Sequence, residues 1–156
     1  GELHTSDNVA VFKALKQISP LPIWLVGTSM GTISVAAATI HDGKNDEGLV
    51  AGVVMTSSIT ADRIPGAVPQ QDLERIRVPT LIVHHEDDAC GVCRPQEARH
   101  IAAALRSTPI KKTLLVSGGS GATGNPCKPM HHHGCIGIQN EGVDRIAAWI
   151  IAPTAD

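Results

Sequence analysis

The stretch Pro22-Ile23-Trp24-Leu25-Val26-Gly27-Thr28-Ser29-Met30-Gly31 constrains the fold of this chain more than any other part of it. Its first half is a short apolar run with β-branched and aromatic members, the pattern of a buried strand. Thr32 to Ile40, which follows, is rich in small residues and compatible with a helix. The pentapeptide Gly27-Thr28-Ser29-Met30-Gly31 must therefore turn a strand into a helix within a few residues. A G-x-S-x-G pentapeptide in that setting strains the serine backbone and presents its hydroxyl as a nucleophile. Both glycines are expected to be required, because a Cβ at either would meet the adjoining strand and helix. The plain alternative is a serine in an ordinary glycine-rich turn, and the flanking strand and helix argue against it.

The rest of the chain alternates in the same way. Val9, Phe12, Ala14, Leu15 and Ile18 recur at helical spacing after a Ser6-Asp7-Asn8 start, and Ser19-Pro20 stops them. His41 to Gly48 reads as a polar turn, Leu49–Thr56 as a strand, and Ser57–Arg77 as a loop with a helical turn at Gln71–Ile76. A strand at Thr80–His84, a helix at Pro95–Leu105, a strand at Lys112–Ser117, a loop over Gly118–Gly134 and a helix at Glu141–Ile151 complete the chain. Such alternation predicts parallel pairing with right-handed crossovers. The expected fold class is α/β: a parallel sheet of about four strands with helices on both faces, forming a single domain over 1–156.

Two strand ends carry chemistry. Val78-Pro79-Thr80-Leu81-Ile82-Val83-His84-His85 runs into Glu86-Asp87-Asp88, and the last long loop ends in His131-His132-His133-Gly134. With Ser29 these give the order nucleophile, acid, histidine. In that order, and in its elbow, its His-His-Glu-Asp-Asp segment and its His-Gly before a final helix, the chain resembles the α/β-hydrolases. The resemblance covers about Val9 to Ile151. It implies a truncated α/β-hydrolase fold with the N-terminal strands of the family absent.

The resemblance implies Ser29 as nucleophile, His133 as base and Asp88 as the acid that orients it, with His132 and Asp87 in reserve and His131 less suited. A serine hydroxyl needs an imidazole within reach to take its proton, and the imidazole needs a carboxylate to hold its tautomer. Met30, following the nucleophile, would offer its backbone N–H to an oxyanion. The second donor of the family comes from an early loop with no counterpart here. Two readings of that gap are open: a companion N-terminal fragment, or a homodimer, either of which would cover the bare edge of the elbow strand. The bland readings are an acidic turn at Glu86–Asp88 and an exposed or metal-binding histidine tract.

Composition narrows the classes. A net charge of −2 without a basic cluster gives nothing for nucleic acid or an anionic membrane surface to bind. No apolar run reaches the length of a membrane span, and residues 1–4 carry no signal-peptide pattern. Aromatic residues are only 2% of the chain, so Ile, Val, Leu and Ala must build the core.

Cys90 and Cys93 follow the acidic turn, while Cys127 and Cys135 flank the histidines. If those loops converge, Cys90–Cys127 is the expected disulfide, a pairing that the resemblance favours, and Cys93–Cys135 is a second candidate. Such a bond typically adds about 2–4 kcal/mol and implies an oxidising compartment, periplasmic or extracellular; free thiols would imply the cytoplasm. The competing reading is zinc, held by Cys90-x-x-Cys93 with Cys127, Cys135 and the histidines. The seven-residue spacing of the second pair departs from a structural zinc knuckle, so no metal and no cofactor is expected. The activity expected is hydrolysis of a small-molecule acyl substrate such as a carboxylic ester, through an acyl-enzyme. Ile59, Ile64 and Val68 are expected to line a modestly apolar pocket. The alternative is a non-catalytic hydrolase-fold module that needs another segment or partner chain.

Overall fold

The computed structural model describes residues 2–45 and 47–156, with the side chains of Glu2, Leu3 and His4 left out. Gly1 and Asp46, which fall in stretches read above, lie outside the described residues. Helix α1 (Glu2–Ile18) leads into strand β1 (Ile23–Thr28), helix α2 (Met30–Asn45) and strand β2 (Val50–Thr56). Strand β3 (Thr80–His85), helix α3 (Ala98–Ala104), strand β4 (Lys111–Val116) and helix α4 (Gln139–Ile151) follow. The four strands pair in parallel in the order β1-β2-β3-β4, which leaves β1 and β4 as edges. Helices cover both faces.

The central strands β2 and β3 are apolar along most of their length because both of their faces are buried, whereas the edges β1 and β4 are only partly covered. Side chains alternate along each strand. Leu25, Val53, Met55 and Ile82 enter the larger core with residues of α1, α2 and α3. Val54, Leu81, Val83 and Val116 point the other way, against Trp149 of α4. Trp24 meets Trp149 edge-on at 5.9 Å between ring centroids. Gly52 stands in β2 because any Cβ there would overlap the Trp24 ring.

The largest departures from expectation fall in three stretches. Helix α1 runs through Ser6-Asp7-Asn8 rather than starting there, since these residues favour caps but only mildly disfavour a helix interior. Helix α2 continues through His41–Asn45, where a turn was expected. The buried Asp42 explains it: its carboxylate accepts from the backbone N–H of Leu49 at 2.9 Å and of Val50 at 3.2 Å, fastening the helix end to the start of β2. Ser57–Arg77 holds two single 3-10 turns, at Val68–Gln70 and Leu73–Arg75. Ile59 and Val68 are 1% and 0% exposed, so they belong to packed cores and do not line a substrate pocket. Among the described residues, no helix is long and apolar enough to cross a membrane.

Candidate active site

The chain reverses from β1 into α2 at Ser29, whose φ is +54°. A non-glycine residue in the left-handed region is held there only by its surroundings. Here its N–H donates to Thr56 O at 3.0 Å, and its carbonyl accepts from Thr32 Oγ1 at 2.6 Å. Gly27 is indispensable: a Cβ would stand 2.6 Å from the carbonyl oxygen of Gly31 and 2.7 Å from Val35 Cγ2. Gly31 is not, since a Cβ there meets nothing within 4 Å. The expected requirement thus holds on one side of the serine only. Met30 opens α2, where backbone N–H groups have no partner within the helix.

Past the end of β3, Asp88 turns inward and Asp87 outward. Asp88 Oδ2 accepts from His133 Nδ1 at 2.8 Å, and Oδ1 accepts from the Cys90 N–H at 2.9 Å. Both side chains are buried, at 0% and 5% exposure. His133 lies in the 3-10 turn His132–Gly134, and its carbonyl accepts from Ser57 Oγ at 2.8 Å. A Cβ on Gly134 would overlap Pro129, which accounts for the His-Gly pair. His132 goes elsewhere, stacking on His85 at 4.5 Å, with His131 edge-on to it. The acid and the first-choice histidine are therefore brought together. The reserve residues Asp87 and His132 are not part of that pair.

Among the described residues, Ser29 Oγ shares its hydrogen bond with Cys93 Sγ at 3.9 Å and has none to an imidazole. Burial pushes the Cys93 thiol up to about 11, with the Ser29 hydroxyl pulling the other way. Cys90 and Cys127 form the expected disulfide, their Cα atoms 4.6 Å apart, and it joins the acid loop to the histidine loop. The second bond does not form: Cys93 and Cys135 are free. Cys93 packs with Cys90, Ile59 and Ala67, whereas Cys135 packs on the α4 side with Trp149 and Val116. Burial, and then the Asp88 carboxylate, raises the Cys135 thiol.

Two contributors escaped the sequence reading. Ser57, at φ +45°, carries the hydroxyl that holds His133. His84 lies beneath the pair, its Nε2 accepting from the Ser58 N–H at 3.1 Å. Burial lowers its pKa to about 4, with Asp88 opposing and His133 assisting. Ser57 matches no local pattern, and His84, although it opens the His-His-Glu-Asp-Asp segment, takes its role only from the convergence of β2 and β3. Beside His133, a cleft of about 290 Å³ is lined by Val26, Thr28, Val83, Val116, Val143 and Ile146 among others.

No protein-family model and no curated protein matches the chain. Among solved structures, the monoacylglycerol lipase of Paleococcus ferrophilus is similar, with a TM-score of 0.59 and 15% sequence identity. The match covers 95% of this chain and 74% of that one. At that identity the likeness is one of architecture, and the shared architecture is the α/β-hydrolase fold.

Proposed function

We propose that this protein is a serine hydrolase that cleaves a small carboxylic ester or related acyl substrate through an acyl-enzyme. The observation that carries the reading is the buried His133–Asp88 pair, Nδ1 to Oδ2 at 2.8 Å. With its Nδ1 proton given to Asp88, the imidazole keeps its lone pair on Nε2, the atom that must deprotonate a hydroxyl. Ser29 supports the nucleophile role by its strained place between β1 and α2. Its hydroxyl and a ring nitrogen of His133 both approach Cys93 Sγ, at 3.9 Å and within 4.8 Å respectively. Catalytic hydrogen bonds are often long without substrate and tighten when it binds.

In this reading His133 takes the Ser29 proton as Oγ adds to the substrate carbonyl. The Met30 N–H faces the oxyanion. His133 then hands the proton to the leaving alcohol, and the acyl group stays on Ser29. Water attacks next, giving a proton to His133 that returns to Ser29 as the carboxylic acid departs. The roughly 290 Å³ apolar cleft beside His133 suits a short acyl chain. The Cys90–Cys127 bond suits an oxidising compartment, periplasmic or extracellular. The purified chain is expected to turn over p-nitrophenyl acetate, and Ser29→Ala to abolish turnover without shifting the unfolding midpoint. Equal turnover by the variant would overturn the assignment.

A second reading rests on β1, an edge strand whose Val26 is 54% exposed. Here the module becomes active only when another chain, a companion segment or a second copy, pairs with that edge and adds an oxyanion donor. Turnover per chain that rises with protein concentration would favour it.

A further inference from the structure

We propose that opening the Cys90–Cys127 bond creates a site for a thiophilic divalent metal such as Zn(II), with Cys90, Cys93 and His133 as its ligands. The sulfurs of Cys90 and Cys93 and a ring nitrogen of His133 all lie within 4.8 Å of one another, and all three residues are buried. Around tetrahedral zinc, such ligand atoms stand about 3.5–3.8 Å apart, from bond lengths of about 2.3 Å to sulfur and 2.0–2.1 Å to nitrogen. A contraction of about 1 Å would close the site.

The surroundings fit a metal as well. Asp88 already holds the Nδ1 proton of His133 at 2.8 Å, the carboxylate–histidine arrangement that fixes the ring and leaves Nε2 for the ion. Cys90-Gly91-Val92-Cys93 brings both sulfurs from one loop. Two cysteines and one histidine leave a fourth position open, as in sites that keep an exchangeable ligand. The Ser29 hydroxyl lies 3.9 Å from Cys93 Sγ, one of the three ligands.

The bonded form lacks the site because Cys90 Sγ is tied up in the disulfide. A dithiol reductant supplies two electrons: its own thiols become a disulfide, and Cys90 and Cys127 become thiols. The metal then displaces one proton each from Cys90 and Cys93 into solvent and takes the Nε2 lone pair. Because thiolates bind the metal and their protons are released, binding strengthens as pH rises. The site itself does not depend on the hydrolase reading. Its effect on turnover does, because a metal on Nε2 takes away the base.

The test is titration of Co(II), then Zn(II), into the whole chain under argon. After reduction and removal of reductant, the absorption of tetrahedral thiolate-bound Co(II) should saturate at one ion per chain. The oxidised protein should show no such site. Cys127→Ser should bind without reductant, while Cys93→Ser and His133→Ala should each weaken binding by about 100-fold or more. Absence of a saturable site in both the reduced protein and Cys127→Ser would overturn the proposal. So would undiminished binding in Cys93→Ser or His133→Ala, which would place the metal on His131 and His132. Unfolding of both disulfide-free forms, read by circular dichroism, counts against it equally, because the ligand cluster must outlive the bond. A failed triad would instead appear as no ester turnover by the oxidised protein, with the titration unchanged. A failed metal site would leave turnover by Cys127→Ser insensitive to Zn(II).

Discussion

Ser57 Oγ donates to the main-chain carbonyl of His133 at 2.8 Å, so the residue just past β2 holds the loop that carries the imidazole. Both residues are buried, and removing the donor leaves a carbonyl without its partner. Ser57→Ala is therefore expected to lower stability by about 1–3 kcal/mol, measured by urea unfolding. Under the proposed function, kcat should fall, because the base is displaced. An unchanged kcat would separate Ser57 from the chemistry.

Asp88→Asn tests the pair directly. The amide oxygen can still accept from the Cys90 N–H, but its nitrogen would then face His133 Nδ1. Two donors cannot share that bond, so the imidazole would move its proton to Nε2 and lose its basic atom. Turnover of p-nitrophenyl acetate is expected to drop by about 10⁴-fold, with circular dichroism unchanged. A loss under tenfold would move the orienting role elsewhere.

The disulfide should be a large share of stability. Cys90 and Cys127 are 37 residues apart, and closing a loop of that length contributes about 3–4 kcal/mol through the unfolded chain. Cys127→Ser should lower the unfolding free energy by about that much, and reductant should then have no further effect on it. Thiol titration of the denatured oxidised protein should find Cys93 and Cys135 alone, two per chain.

Acid should weaken the fold through His84. The unfolded side chain takes up a proton near 6.5, whereas burial holds the folded one to about 4. Between those values the unfolded chain binds more protons, so stability falls as pH drops through the window and is unaffected by this group above it. The loss amounts to about 3 kcal/mol at the acid end. His84→Asn keeps an acceptor for the Ser58 N–H and should flatten that part of the urea midpoint against pH. An identical slope in the variant would assign the acid sensitivity to other groups.

The two elbow glycines should respond differently. Gly27→Ala forces a Cβ against the Gly31 carbonyl and should cost about 1–3 kcal/mol, or prevent folding. Gly31→Ala meets open space and should leave the urea midpoint within about 0.5 kcal/mol of the parent. Equal effects would mean that the turn relaxes around either side chain.

Much of this architecture is legible in the residues because local pattern and global fold agree. The apolar runs at Ile23–Val26 and Thr80–His84 are strands, the second buried along its whole length, and Gly27 matches a contact that only glycine permits. Asp88 and His133 are the residues that the resemblance to the α/β-hydrolases put forward, with Asp87 and His132 in reserve, and parallel strands deliver both to one rim. What stayed hidden depends on partners distant in sequence. Asp42 extends α2 through bonds to Leu49 and Val50, and the apolar residues of Ser57–Arg77 fill cores because the sheet offers them space. Cys93 and Cys135 sit close to the same loops in sequence, yet they pack in different clusters, which spacing alone does not encode.

The bond between Cys90 and Cys127 encloses α3 and β4 in one covalent ring. A protease that cuts once inside that ring cannot release a piece of the oxidised molecule. The nicked chain would keep its mass, gaining only the water of hydrolysis, and would run as two bands solely after reduction. Limited digestion followed by paired gels therefore reads the oxidation state of this one linkage without any assay of activity.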